Sequence, residues 1–377
     1  MRVALHTDQL WFKAPGGIGT YVRELLFRLD RDPDVDVVPF SSRWTSATPP
    51  GIIVKAGSRW PHLRLPIQLL YPTWSAARLP HLPRRFGHLD IVHATNHAAI
   101  PPARRDQRLV VTVHDLAFER FPELFPKRWL AMYRRGLEIA TREADTILVP
   151  SEFTAGELRE RGIDGANVRV TPLAAERLIE PREPDLEEAR PREPDGPFVL
   201  AVGTIEPRKN LTRLVRAFRK AVEQEHLPHT LVLAGARGWG SDDLLRDIRD
   251  DRGRRVRHID DLGDAWLDVF RRDADAVAYV SLYEGFGLPV LESLAAGTPT
   301  LASSAPAIVE VAGDAALVVD PLDEDDIADG LIRVLTDDAL RAELRVKGPE
   351  RAAAFSWEAT ARATLDAYRD AMERTRA

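Results

Sequence analysis

Short apolar runs alternate with amphipathic stretches along the whole chain. In the first half, β-branched runs predict strands over Arg2–Thr7, Asp36–Phe40, Asp90–Ala94, Arg108–His114, Thr146–Pro150 and Val168–Thr171. Helical spacing falls between several of them, over Ile18–Asp30, Lys127–Glu143 and Phe153–Arg161. Ser151 stands just ahead of the last, where a hydroxyl can accept from the orphan amides of a first turn. The alternation then restarts. Strands are expected at Phe198–Val202, Thr230–Ala234, Val256–Ile259, Ala276–Val280, Thr298–Ala302 and Ala316–Asp320. Runs such as FVLAV and HTLVLA have no polar face, the pattern of parallel strands covered on both sides. The fold class predicted is α/β, with two doubly wound units.

Between the two halves the segment PREPD occurs at 181–185 and again at 191–195. A Pro-rich, charge-dense stretch cannot bury a core and reads as a linker. The expected division is a first domain over 1–178, a hinge over 179–197 and a second domain over 198–356. A length of 377 residues fits two such domains.

Composition narrows the chemistry. The chain holds 52 basic against 58 acidic residues, a net charge of −6, which argues against a general nucleic-acid binder. It has no cysteine, so disulfides, thiolate nucleophiles and Cys-ligated metals are excluded. No secretory h-region opens the chain, and nowhere do about 18 apolar residues run together. A cytoplasmic location is expected. From Val37 to Leu89 there is no acid, while Arg43, Lys55, Arg59, Arg64, Arg78, Arg84 and Arg85 mix with Trp44, Trp60, Tyr71 and Trp74. This stretch either packs on its own domain or offers a basic, aromatic surface to anionic lipid or an acceptor. Its prolines, Pro61, Pro66, Pro72 and Pro80, break any long amphipathic helix.

Four loops at strand ends carry candidate chemistry, where open α/β sheets bind ligands. In APGGIGTYVREL, Gly16 and Gly17 precede a helix, so amides can approach a phosphate; a plain tight turn reads equally well. Val22 stands where a dinucleotide fingerprint needs its third glycine. VTVHDLAF sets His114 at a strand end with Asp115 after it, and IVHATNH offers His93 and His97. No HExxH-type spacing joins these histidines, so metal is not expected. In VGTIEPRKNL a strand ends at Gly203, Arg208 and Lys209 follow, and Asn210 is placed to cap the next helix. Two cations beside a helix dipole make an anion site. Finally, in SLYEGFGLPVLESLAAGTP, Gly285 and Gly287 permit a tight turn, and Pro289 opens a helix. Glu284 in the loop and Glu292 in the helix are suited to hydroxyl recognition or to stabilising charge on a sugar.

Glu284 and Glu292 within EGFGLPVLE, with EPRKN and GGIG in the same order, resemble family 4 of the glycosyltransferases, retaining enzymes of the GT-B fold. The resemblance covers essentially the whole chain. It implies two Rossmann-like domains facing across a cleft, with a nucleotide-sugar donor held mainly by the second. It implies that Glu292 binds the ribose, and that Glu284 with the amides of Phe286, Gly287 and Leu288 holds the transferred sugar. Lys209 would neutralise the departing diphosphate, Gly17 would contact it, and His114 would meet the donor sugar. His93 and Asp115 fall on the acceptor side. No metal or cofactor is implied, the nucleotide sugar being a co-substrate. A last helix, roughly Trp357–Glu373, would return to the first domain. One departure stands out: many members have Arg after the strand-ending glycine, where this chain has Thr204. Either Arg208 takes that place at the diphosphate, or the donor tail is held differently.

GTIEPRKN and AGARGWGSDDL resemble mannosyltransferases using GDP-mannose. UDP-glucose, UDP-GlcNAc and dTDP-deoxysugar donors remain alternatives, as does a sugar-nucleotide-binding protein without catalysis. The acceptor is expected to be a saccharide, a lipid-linked saccharide or a small molecule.

Overall fold

The computed structural model describes residues 1–12, 15–42, 60–163, 167–175, 196–250, 255–260 and 262–374. Nearly all of the expected hinge, with both PREPD segments, lies outside them, as do Arg43, Trp44, Lys55 and Arg59. The chain divides into two compact units, Met1–Leu173 with Trp357–Ala377, and Ala174–Ser356.

The first unit holds a six-stranded parallel sheet: β1 (Arg2–His6), β2 (Asp36–Phe40), β3 (Ile91–Ala94), β4 (Arg108–Thr112), β5 (Thr146–Val149) and β6 (Val168–Val170), in the order β2-β1-β3-β4-β5-β6. The second unit repeats the plan with β7 (Phe198–Val202), β8 (Thr230–Ala234), β9 (Val256–Ile259), β10 (Ala276–Tyr279), β11 (Thr300–Ser303) and β12 (Leu317–Val319). Its order is β12-β11-β10-β7-β8-β9, again wholly parallel. Strand β7 shows why the apolar run has no polar face. Val199 and Ala201 enter the core on one side of the sheet, Phe198 and Leu200 the core on the other.

Several strands stop short of their apolar runs. β4 ends at Thr112, so Val113 and His114 belong to the loop. β1 ends at His6, because the Thr7 hydroxyl and amide both turn to the Phe40 carbonyl and start the next turn. β11 begins only at Thr300, since Thr298 is held by the carbonyls of Ser293 and Arg271. The opening helix starts earlier than expected, at Gly16, so both glycines lie in its first turn. Ser151 caps the helix Glu152–Glu160 by accepting from the Thr154 amide at 3.1 Å.

Within the acid-free stretch the described apolar residues Trp60, Leu63, Leu70 and Trp74 are buried in their own unit. Arg78 is paired with Glu143 at 2.7 Å. Pro72 does not prevent a helix: Ile67–Ala77 is helical around it. Among the described residues, no helix is long and apolar enough to cross a membrane.

The helix Trp357–Glu373 completes the first unit. The Tyr368 hydroxyl meets His93 Nδ1 at 2.6 Å, and His93 Nε2 meets the Thr112 hydroxyl at 2.8 Å. Thr112 in turn meets Tyr21 of the opening helix at 3.0 Å. This chain of buried polar groups ties the last helix to β3, β4 and the first helix. Burial, then the nearby His114 and His6, lower the His93 pKa to about 3, so the ring is neutral and both nitrogens are engaged. Tyr368→Phe should leave His93 Nδ1 buried without its partner and cost ~1–3 kcal/mol. Urea unfolding of the two proteins measures it, and an unchanged midpoint would show that the hydroxyl contributes nothing.

Candidate active site

In the second sheet the strand order reverses between β7 and β10, which pair directly. Loops leaving neighbouring strands at such a point diverge to opposite sides and open a crevice at the carboxyl ends. The loop after β7 carries Arg208 and Lys209, and the loop after β10 carries Glu284. Topology therefore sets residues 75 positions apart side by side.

Backbone bonds stitch the two loops together. The Leu282 amide donates to the Arg208 carbonyl at 2.9 Å, and the Arg208 guanidinium donates to the Tyr283 carbonyl at 2.9 Å. Asn210 occupies the position before the helix Leu211–Glu225 but does not cap it with its side chain. Its amide group donates instead to the carbonyls of Val280 and Pro321, at 3.1 and 2.7 Å. That correction gives Asn210 a role in holding the lysine loop against the end of β10. Gly203 has a φ of +140°, a conformation that favours glycine, and it lies directly against the Lys209 arm.

The two cations are not bare. Lys209 Nζ lies 2.7 Å from Glu284 Oε1, and the Arg208 guanidinium lies 2.7 Å from Glu284 Oε2. Arg208 also meets Glu206 at 2.7 Å. Hydroxyls of Ser281 and Tyr279 donate to Glu284 Oε1 at 2.6 and 2.9 Å, and Lys209 donates to the Tyr279 oxygen at 2.5 Å. Burial alone would raise the Glu284 carboxyl, but Arg208, Lys209 and the Ser281 hydrogen bond bring it down to about 2. Burial, reinforced by that carboxylate, raises Tyr279 well above its ordinary value, so it stays a hydroxyl. The sequence suggests an open pair of cations; the structure gives a compensated cluster of two cations and two carboxylates. Charges this far from water need counter-charges.

Past Glu284 the chain turns through Gly287, whose φ of +100° no β-branched residue would tolerate, into the helix Leu288–Ala295 with Pro289 in its first turn. The Phe286 ring turns inward onto Phe355, with ring centres 5.8 Å apart, and Leu288 is buried. The first amides of such a helix have no intrahelical acceptor. Glu292 follows a turn later, 2.6 Å from the Arg271 guanidinium. Arg271, only 2% exposed, also meets Asp268 at 2.7 Å.

In the first unit His114 donates from Nε2 to the Thr95 carbonyl at 2.8 Å, which leaves the lone pair on Nδ1. Burial lowers its pKa, so the ring is neutral. Asp115 accepts from the Ala117 amide at 3.0 Å and serves as a cap for the turn that follows. His97 is buried against the rings of Phe118 and Tyr133. His93 is buried in the seat of the last helix, with both ring nitrogens engaged by Tyr368 and Thr112. Among the described residues, no three His, Asp or Glu side chains converge where a metal would fit.

Sequence reasoning missed Tyr279, Ser281 and Arg271. Tyr279 reads as the tail of a strand and Ser281 as the first letter of the loop, and their registration with Lys209 depends on pairing across the sheet. Arg271 falls in an amphipathic helix, where an arginine reads as solvated.

A pair of Rossmann-like units with wholly parallel sheets, one carrying this cluster at its switch point, defines the GT-B class of sugar transferases. The chain matches the family model for Glycosyltransferase Family 4 over residues 15–175 and that for Glycosyl transferases group 1 over residues 183–351. It belongs to the family 4 glycosyltransferases and transfers a sugar from a nucleotide sugar. It is 31% identical over 282 residues to O-antigen chain mannosyltransferase B of Escherichia coli, covering 70% of this chain and 71% of that one. It is 30% identical to the D-inositol 3-phosphate glycosyltransferase of Kribbella flavida, over 98% and 95% of the two chains. Its fold is similar to that of sucrose-phosphate synthase from Thermosynechococcus elongatus, with a TM-score of 0.73 at 23% identity over 98% of each chain.

Arg271→Ala should remove a buried guanidinium from the half-buried Glu292 and Asp268 carboxylates and destabilise the second unit by ~1–3 kcal/mol. Chemical unfolding would measure this, and Arg271→Lys should recover part of the loss.

Proposed function

We propose that the protein is a retaining hexosyltransferase that moves mannose from GDP-mannose to an acceptor hydroxyl. The observation that supports it most is the cluster of Lys209, Arg208 and Glu284 at the ends of β7 and β10, beside the start of the helix Leu288–Ala295. Cleavage of the bond between the sugar C1 and the diphosphate builds negative charge on the departing oxygen. Lys209, Arg208 and the first helix amides, including those of Gly287 and Leu288, are suited to stabilise it. The bond to the acceptor oxygen forms on the face the diphosphate leaves, and the acceptor's proton passes to that departing oxygen. Configuration at C1 is then retained, and no side chain becomes covalently attached.

In this reading Glu292 takes the ribose hydroxyls, held in position by Arg271, and Glu284 takes hydroxyls of the sugar. Gly203 and Thr204 line the path of the phosphates, with Arg208 serving in place of an arginine at 204. In the first unit, Gly16 and Gly17 offer amides to a phosphate, and His114 accepts a sugar hydroxyl through Nδ1. The cations and helix amides take the part of a metal, and the nucleotide sugar is a co-substrate. Mannose is favoured by the mannosyltransferase among the relatives. The D-inositol 3-phosphate glycosyltransferase, which matches nearly the whole chain, favours a second reading in which the acceptor is a phosphorylated polyol.

Lys209→Ala should cut turnover by the equivalent of ~2.7–4 kcal/mol, and near-wild-type turnover would remove the lysine from the leaving group. Glu292→Ala should chiefly raise the donor KM, and an unchanged KM would take it out of the ribose site. Slow donor hydrolysis should be fastest with GDP-mannose when UDP-glucose, UDP-GlcNAc and a dTDP-sugar are assayed beside it. A preference for one of the others would reassign the donor.

A further inference from the structure

We infer that Glu284 has a second role: it is the resident anion of the diphosphate site, and an incoming nucleoside diphosphate must displace it from Arg208 and Lys209. This rests on the reading of those two cations as diphosphate ligands and adds a step to it.

The geometry points there directly. Both cations direct their charge at one carboxylate, Lys209 at Oε1 and Arg208 at Oε2, each at 2.7 Å. With Glu206 on Arg208, the cluster of two cations and two carboxylates sums to zero. A neutral cluster has little attraction for a dianion. The same cations become an anion site only once a carboxylate turns aside. Glu206 is the poorer candidate, because among the described residues its carboxylate pairs with Arg208 and not with the Lys209 ammonium, its carbonyl taking only the Lys209 backbone amide. Glu284 bridges both.

Glu284 also has a means of turning. The hydroxyls of Ser281 and Tyr279 both hold Oε1, at 2.6 and 2.9 Å. The carboxylate can pivot about that oxygen and release Arg208 through Oε2, while the flexible Lys209 arm swings its ammonium off Oε1 toward the diphosphate, so that Oε2 reaches a sugar hydroxyl with the hydroxyl partners of Oε1 kept. Protonation does not achieve the same release, since the carboxyl is held to about 2 and remains charged at any working pH. The exchange is anion for anion. When the sugar has been transferred, the carboxylate returns to the cations and competes with the diphosphate product for them, which favours its departure.

The consequence runs against the usual effect of removing a charged group from a binding site. Glu284→Gln should bind GDP more tightly than the wild type, on the order of tenfold, because a full ionic competitor is gone. Its sugar transfer should fall, and GDP should become a stronger product inhibitor. Titration calorimetry of the full chain with GDP, and with UDP in parallel, reads this. Glu284→Asp keeps the charge on a shorter arm and should shift affinity the same way by a smaller factor, which covers the case in which the glutamine variant fails to fold. Lys209→Ala is the third arm and should weaken GDP. If Lys209→Ala weakens GDP while neither Glu284 variant tightens it, the displacement role is overturned and the lysine's role stands. If Lys209→Ala binds GDP like the wild type, the reading of the cations falls, and the displacement role with it.

Discussion

Taking an ammonium, a guanidinium and two carboxylates out of water costs several kcal/mol per ion, and only close pairing recovers it. Around Glu284 that pairing is nearly complete, with two cations and two hydroxyls on its two oxygens. Much of the second unit serves this arrangement. The reversal of strand order sets the two loops side by side, Asn210 and the bonds between Arg208 and residues 282–283 fix their spacing, and Gly203 lies against the lysine arm.

The second carboxylate of the motif lives under a different constraint. Glu292 is carried on a helix and paired with a buried arginine from the helix Asp264–Asp273, which Asp268 also holds. Glu284 has partners on two loops and a hinge of hydroxyls. Glu292 has a fixed arm. Two glutamates eight positions apart thus differ in freedom: one is suited to exchange partners during a reaction cycle and the other to hold a ligand in register.

Most of the architecture was legible in the apolar runs, because parallel strands buried on both faces leave an unmistakable pattern. The ends of strands were less so. His114 reads as the last strand residue, yet β4 stops at Thr112, and the last bond to β5 is that of the Val113 amide to the Leu148 carbonyl, one residue before the histidine. The site was legible in its letters and not in its charge state. EPRKN displays two cations, but the carboxylate that neutralises both is 75 residues away. The partner of His93 was hidden for a related reason: Tyr368, which meets its Nδ1, lies on a helix at the far end of the chain.

That helix has a consequence for how the protein is made. The first unit needs Trp357–Glu373 to bury Tyr368 against His93, but every residue of the second unit is translated before that segment. On the ribosome the earlier unit therefore exists for a time as a sheet with one face unclosed, while the later unit has all its own strands and can fold to completion. The order of completion is the reverse of the order of synthesis. In topological terms the second unit is an insertion, carried between two parts of a host that closes only when the last helix has been made.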